Sequence, residues 1–313
     1  MNKAFKVIGK FLAIILLLML LFLFVVFICN KIMLKKEEPL LARQIGNFVE
    51  VDGHKMNVYT EGKGEHTLVF LSGSGTVSPV LDFKSLYSLL SDEFKIVVIE
   101  KFGYGFSDVV DTERSFETIL RQDREALEKL GIKEPFILCP HSMSGLEALM
   151  WAQNCPDEIE GIIGLDMVLP RNYDNFDFKN VAKVEKLAVL ARKVGIIRFY
   201  YSDKTLPEKL SKNEKQIYKA LAARIAVNID VYNEGKAIPE ACKIIDSKPI
   251  PDIPILLYVS DGKETQALTW VQNQRDFAAA NKNVKIVELN CGHYVHNFEY
   301  ERISRGVKEF VEE

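Results

Sequence analysis

Short, continuous apolar runs recur along this chain, and each is separated from the next by a longer segment. A run that is apolar on both sides is typical of a strand buried on both faces, as in a parallel sheet flanked by helices. The runs lie at 67–71, 95–99, 135–139, 161–165, 255–259 and 284–289. A hairpin of 48–51 and 56–59, turning at Asp52-Gly53, is predicted to precede them. The pattern predicts an α/β fold with a mostly parallel sheet.

The segments between the runs have helical patterns. Helices are predicted at 112–130, 144–153 and 270–281. The long gap between Pro170 and Pro249 differs, because it contains helix-like stretches at about 180–194 and 211–228 and no clear strand. An insertion of this kind predicts a helical lid over the carboxyl edge of the sheet, at about 171–249. Residues 47–313 are therefore expected to form one domain that includes the lid.

The N-terminal region contains residues 11–28, which are apolar throughout, without a charge or a proline. At ~1.5 Å per residue they would cross most of a ~30 Å hydrocarbon core. A buried core helix should show a polar face, and this segment has none. We therefore predict a short basic tail at 1–10, a single transmembrane signal anchor at 11–29, and a charged juxtamembrane linker at 30–46 with a stop at Pro39.

A cleaved signal peptide is the alternative interpretation of this segment. Residues 25–28 are large, whereas cleavage favours small residues, so we favour an uncleaved anchor. Lysines flank the apolar run on both sides, so the positive-inside rule is nearly balanced. Because a short N-terminal tail is the easier end to retain in the cytoplasm, the large domain is expected on the extracytoplasmic side.

Charge and cysteine content exclude several other classes of protein. The chain has 40 basic and 43 acidic residues and a net charge of -3, which gives no indication of a nucleic-acid partner. Its five cysteines have neither the paired spacing of a zinc site nor that of a disulfide framework. We expect no metal and no cofactor.

The sharpest local motif is the buried run at 135–139 followed by Pro140, His141, Ser142, Met143, Ser144 and Gly145, and then by a helix. A nucleophile elbow needs this strand–turn–helix arrangement, in which the serine is exposed on a strained turn with small neighbours. The backbone N–H of Met143 would then point at a developing oxyanion. Pro140 and Ser144 stand where the G-x-S-x-G pattern has glycines, and a helix-capping serine is the alternative interpretation.

Several further motifs, in their order along the chain, resemble the α/β-hydrolase family over residues 47–313. The segment 70–75 (FLSGSG) resembles the turn after strand 3, which implies the Ser74 N–H as second oxyanion donor. The segment 100–108 (EKFGYGFSD) is similar to the family's D-x-x-G-x-G-x-S turn, with glutamate in first place. The segment 290–293 (NCGH) resembles the Gly-His ending that delivers the catalytic base, which implies that role for His293.

The acid of the implied triad has two candidates. In most members of the family it follows strand 7, where Lys263 occupies the expected position and Asp261 lies nearby. In others, among them certain haloalkane dehalogenases, it lies at the end of strand 6, and Asp166 resembles that arrangement. We favour Asp166, since a carboxylate there could accept the His293 Nδ1–H and fix the tautomer of the base. Asp261 stays the alternative.

The resemblance implies a serine hydrolase, carboxylesterase- or lipase-like, that cleaves a small or lipid-like acyl substrate through an acyl-enzyme. Dehalogenases and epoxide hydrolases of the family use a carboxylate nucleophile, and a serine at 142 argues against their chemistry. The alternatives are a peptidase resembling proline iminopeptidases and a non-catalytic binding protein with the same fold.

Overall fold

The computed structural model of the protein describes residues 3–174, 176–265 and 267–312, with side chains from Val7 onward. Met1 and Asn2 of the predicted tail lie outside the described residues, as do three positions of the predicted domain, Asn175, Gln266 and Glu313.

Within these described ranges, eight strands form one sheet in the order β1-β2-β4-β3-β5-β6-β7-β8. The first two strands are antiparallel to their neighbours, and all the others are parallel. This confirms the predicted α/β fold with its mostly parallel sheet. The strands are β1 (Asn47–Val51), β2 (His54–Glu61), β3 (Thr67–Leu71), β4 (Lys95–Glu100), β5 (Phe136–Pro140), β6 (Ile159–Leu165), β7 (Ile255–Val259) and β8 (Val284–Glu288).

Burial explains why these runs form strands. Every residue of β3, β5 and β7 is buried, as expected for central strands with helices on both faces. Strand β8, at the edge, is only partly buried. The apolar runs therefore pack into the two layers between sheet and helices, and the carboxyl ends of the parallel strands meet at one edge.

Twelve α-helices are described. They are α1 (Lys3–Leu41), α2 (Pro79–Asp82), α3 (Lys84–Tyr87), α4 (Phe116–Lys129), α5 (Ser144–Asn154), α6 (Phe178–Val194), α7 (Ile197–Tyr200), α8 (Lys212–Ile225), α9 (Ile229–Asp246), α10 (Trp270–Ala280), α11 (Val295–Phe298) and α12 (Tyr300–Glu312).

Helices α6 to α9 lie between β6 and β7 and form what we call the helical insertion. Helices α6 and α8 match the predicted stretches, but α9 was not predicted as a separate helix. It contains Gly235 and Pro239, both unfavourable inside a helix, so its sequence signal is weak. Asn228 does not belong to α8 but caps α9, because its side chain accepts hydrogen bonds from the N–H groups of Asp230 and Val231.

Helix α1 is long and apolar enough to cross a membrane, by length and composition. It also differs from the prediction. Residues 30–41, predicted as a linker with a stop at Pro39, continue the same helix to Leu41. Glu37 on this part of α1 pairs with Arg198 and Arg224 of the helical insertion, at 2.7 and 2.9 Å. These contacts hold the segment helical in spite of the proline.

Candidate active site

Ser142 lies on the tight turn between β5 and α5, with a φ of 53° in the left-handed region. Non-glycine residues rarely adopt that conformation, so the turn is strained. Two glycines leave the space that the turn needs. A Cβ on Gly73 would lie 2.8 Å from the Ser142 Cβ, and one on Gly145 would lie 2.2 Å from the Val168 carbonyl oxygen. The elbow predicted from the sequence is thus present, with glycines where space is most limited.

The two departures from the G-x-S-x-G pattern fit this turn. Pro140 is the last residue of β5 and lies opposite Leu71 of β3, so the strand continues up to the turn. The Ser144 hydroxyl donates a hydrogen bond to the Leu71 carbonyl oxygen at 2.7 Å. Serine at position 144 therefore ties the turn to the neighbouring strand, a contact that glycine could not make.

Ser142, His293 and Asp166 form a continuous hydrogen-bonded series. The Nε2 atom of His293 lies 2.9 Å from the Ser142 Oγ, and its Nδ1 lies 2.5 Å from the Asp166 Oδ2. With the ring proton on Nδ1, the imidazole donates to the carboxylate and Nε2 is free to accept the serine proton. The Asp166 side chain is fully buried and that of His293 is 18% exposed.

The second oxygen of Asp166 is also fixed. Its Oδ1 accepts hydrogen bonds from the Ser260 N–H at 2.8 Å and from the Trp270 Nε1–H at 2.9 Å. The Trp270 ring also lies edge-on to the His293 ring, at 5.4 Å between centroids. Trp270 could not be predicted from the sequence, since an indole that follows the end of β7 by several residues carries no recognisable motif.

Asp261, the alternative acid, points elsewhere. Its carboxylate accepts a hydrogen bond from the Lys263 N–H at 3.0 Å and pairs with the Lys263 Nζ at 2.7 Å. Within the described part of the chain, no hydrogen bond joins it to His293. Of the two carboxylates that the sequence left open, Asp166 is the one that the structure brings to His293.

Ser74 and Met143, whose backbone N–H groups are the predicted oxyanion donors, line the same cavity as Ser142 and His293. Among the residues that the structure describes, neither N–H donates a hydrogen bond. Most backbone N–H groups in folded proteins are paired, so free donors on two residues that line the Ser142 cavity are candidates for an oxyanion hole.

His141 lies behind this site. Its ring is buried against that of His293, 4.8 Å away between centroids, and its Nε2 lies 3.3 Å from the His293 carbonyl oxygen. Burial, together with the neighbouring His296 and His293, holds the pKa of His141 well below its usual value, so its imidazole is neutral. His141 thus holds the His293 loop in place through the ring contact and the contact with the His293 carbonyl oxygen.

His141, His296 and Asp82 also form a buried group whose potential metal-binding atoms lie within 4.8 Å of one another. The His296 Nε2 is already hydrogen-bonded to the Asp82 Oδ2, at 3.0 Å. Among the described residues, the Nδ1 atoms of His141 and His296 have no hydrogen-bond partner, and we assign no metal to the group.

A cavity of about 440 Å³ opens above Ser142. One wall comes from the strand edge and the other from the helical insertion. Two carboxylates also border it. Glu264 accepts a hydrogen bond from the His293 N–H at 2.8 Å, and burial raises the pKa of Glu185. The apolar lining includes Val168, Tyr173, Phe176, Phe178, Val181 and Ile238.

Comparison with known proteins agrees with this architecture. No protein-family model matches the chain. The chain is 38% identical over 298 residues to the uncharacterized protein YbdG of Bacillus subtilis (strain 168), a match that covers 91% of each chain.

Among solved structures, a haloalkane dehalogenase loop variant from Bradyrhizobium elkanii superposes with a TM-score of 0.63 at 18% identity, covering 85% of this chain and 95% of that one. An epoxide hydrolase from Vigna radiata superposes with a TM-score of 0.68 at 14% identity, covering 85% and 98%. At such identities the likeness shows the fold alone.

Proposed function

This chain belongs to the α/β-hydrolase fold family, and we propose that within it the protein is a serine hydrolase that cleaves a carboxylic ester or a related acyl bond. The hydrogen-bonded series from Asp166 through His293 to Ser142, on a strained elbow, carries this proposal. It supplies a nucleophile, a base within reach, and a carboxylate that orients the base.

In the first step, the Ser142 Oγ attacks the substrate carbonyl carbon while its proton moves to the His293 Nε2. The carbonyl electron pair moves to oxygen, and the N–H groups of Ser74 and Met143 donate to this oxyanion. Asp166 stabilises the imidazolium. When the tetrahedral intermediate collapses, the bond to the alcohol breaks and the alcohol leaves with the proton from His293.

In the second step, a water molecule attacks the acyl-enzyme and His293 accepts its proton. The same two N–H groups stabilise the second oxyanion. Collapse of this intermediate releases the carboxylic acid and returns the proton to Ser142. The residues named here suffice for this sequence of steps.

The size and lining of the cavity favour an acyl substrate. Its volume of about 440 Å³ lies within the usual range for small-molecule sites, and most of its lining is apolar. The helical insertion supplies one wall, and we assign it the role of a lid. The serine hydroxyl would attack an acyl carbon. Dehalogenases and epoxide hydrolases of the family instead use a carboxylate as the nucleophile, so the proposed reaction differs from theirs.

We further propose that residues 11–29 anchor the protein as a single transmembrane segment, with the catalytic domain on the extracytoplasmic side. The apolar side chains of this run face outward on α1, as in Leu17, which is 66% exposed. Exposure of so large an apolar surface to water is unfavourable, whereas its burial in the hydrocarbon core of a membrane is favourable. Mass measurement of the chain from membranes distinguishes an anchor, which is retained, from a cleaved signal peptide.

Labelling by a fluorophosphonate probe tests the catalytic proposal. The probe reacts only with an activated serine, so wild type should be labelled and Ser142→Ala and His293→Ala should not. The same variants are assayed on short-chain p-nitrophenyl esters and on aminoacyl p-nitroanilides. Turnover of the anilides alone would favour the peptidase alternative. A folded wild type that neither labels nor turns over would contradict catalysis and leave a binding protein.

A further inference from the structure

The helical insertion is apolar on two opposite sides. On α6, Val181 and Ala182 face the cavity, whereas Val184, Leu187 and Leu190 are exposed at 57–67%. The latter three recur every third residue, so they form a stripe along one side of the helix. The exposed large apolar residues of α6, α7 and the turn between them are Val184, Leu187, Leu190, Ile196, Phe199 and Tyr200, which we call the outer apolar face.

This face is continuous with the apolar surface of α1. The rings of Phe199 and Phe22 stack with their centroids 6.5 Å apart. Phe22 lies seven residues inside the carboxyl end of the predicted transmembrane segment 11–29. At ~1.5 Å per residue, this places it about 10 Å along the axis from the end of that segment. When α1 spans a membrane, Phe199 therefore lies at the depth of the hydrocarbon.

Polar contacts fix α7 to the part of α1 that follows the predicted transmembrane segment. The Arg198 Nε donates to the Asn30 Oδ1 at 2.7 Å, and Arg198 also pairs with Glu37. Gly195 packs so closely on α1 that a Cβ there would lie 2.5 Å from the Asn30 Cβ. The position of Phe199 is thus set by several contacts with α1.

The charge of α6 suits a membrane surface. The helix carries five basic residues, Lys179, Lys183, Lys186, Arg192 and Lys193, against the single acidic residue Glu185. A basic helix with an apolar stripe is typical of segments that lie in the interface of a bilayer with anionic lipids. Long basic side chains can reach the headgroups while the stripe is buried below them.

We propose that the outer apolar face is immersed in the membrane leaflet that surrounds α1. The inference rests on the transmembrane anchor of the proposed function. The bilayer then covers one side of α6, and the other side forms the wall of the cavity. This placement suits a substrate that resides in the same leaflet, an amphiphile with an acyl chain.

Fluorescence quenching by lipids brominated on the acyl chain tests the immersion. The full-length chain is reconstituted in vesicles that contain anionic lipid, as four variants. Leu187→Trp and Phe199→Trp report on the outer apolar face, and Leu16→Trp reports on the anchor. Lys282→Trp, at a side chain that is 80% exposed before β8, is the matched control. The two native tryptophans are buried and provide a common background.

We expect the emission added by the tryptophans introduced at positions 187, 199 and 16 to fall by at least half in brominated vesicles. The emission added at position 282 should stay unchanged. If position 16 is quenched and positions 187 and 199 are not, the face lies outside the leaflet and the proposal is wrong. If position 16 is not quenched, the anchor itself fails and the proposal fails with it. Neither result depends on catalysis, so ester turnover by the same variants reports separately on the hydrolase proposal.

Discussion

Trp270 donates its indole N–H to the Asp166 Oδ1 at 2.9 Å, the carboxylate oxygen that His293 does not contact. The acid is therefore held from both sides: one oxygen faces the base, and the other is bound to α10 and to the Ser260 N–H. Because Asp166 is buried, each of these donors replaces a lost water contact.

Trp270→Phe is expected to lower kcat about ten- to a hundredfold with little change in KM, since a hydrogen bond to a charged group contributes about 1.5–3 kcal/mol and the aromatic wall is kept. Trp151→Phe is the matched control. Its indole donates to the Glu158 carboxylate at 2.8 Å, away from the site. Ester kinetics of both variants decide the matter, and an equal loss of kcat in the two would show a merely structural effect.

Asp166→Asn should reduce kcat by about 10⁴, because an amide favours the wrong histidine tautomer while leaving the geometry intact. Asp261→Asn should change kcat less than twofold, since Asp261 contacts Lys263. Steady-state rates on one p-nitrophenyl ester measure both. A large loss in Asp261→Asn alone would reverse the assignment of the acid.

Glu100 should make the stability of the domain depend on pH. It is fully buried, and burial raises its pKa to about 7, although hydrogen bonds from Phe106 and Asn57 partly offset the effect. From about pH 4.5 to 7 the folded state keeps this proton and the unfolded state loses it. The free energy of unfolding should therefore fall as pH rises through this window, by about 3 kcal/mol for this group.

Glu100→Gln should remove this part of the pH dependence. The neutral amide keeps an acceptor for Phe106 and Asn57, and its nitrogen can donate to the Ser78 hydroxyl. Chemical unfolding in detergent between pH 4.5 and 8 measures the difference. Glu128→Gln, at an exposed position, is the control and should keep the wild-type slope. An unchanged slope in Glu100→Gln would contradict the assignment.

Glu37→Gln should loosen the helical insertion from α1. One carboxylate pairs with both Arg198 and Arg224, and its side chain is only 12% exposed, so both ion pairs weaken together. Limited proteolysis should cleave residues 198–212 several times faster than in wild type. Glu38→Gln, at the exposed neighbouring position, should leave the rate unchanged. Equal rates in all three proteins would show that the ion pairs do not hold the insertion.

The strands and the elbow could be predicted because their signals are local. Buried strands have short apolar runs, and the turn at Ser142 needs small residues at fixed spacing. The choice between Asp166 and Asp261 could not be settled, because both follow strands that end at the same edge of the sheet. Only the direction of each side chain separates them. The indole of Trp270 could not be predicted because it belongs to no recognisable motif.

The helical continuation of α1 was missed because its cause is not local. Pro39 predicts a stop by itself, and the contacts of Glu37 with residues more than a hundred positions away outweigh that preference. A similar conflict hid α9, in which Gly235 and Pro239 oppose a helix that packs onto the sheet domain.

The left-handed backbone of Ser142 sets stability and activity against each other. Glycine adopts that φ without strain, so Ser142→Gly should raise the melting temperature while abolishing turnover. Asparagine and aspartate also enter this region more readily than serine. Serine is therefore not the residue that gives this turn its greatest stability. A screen for thermal stability alone would discard the nucleophile.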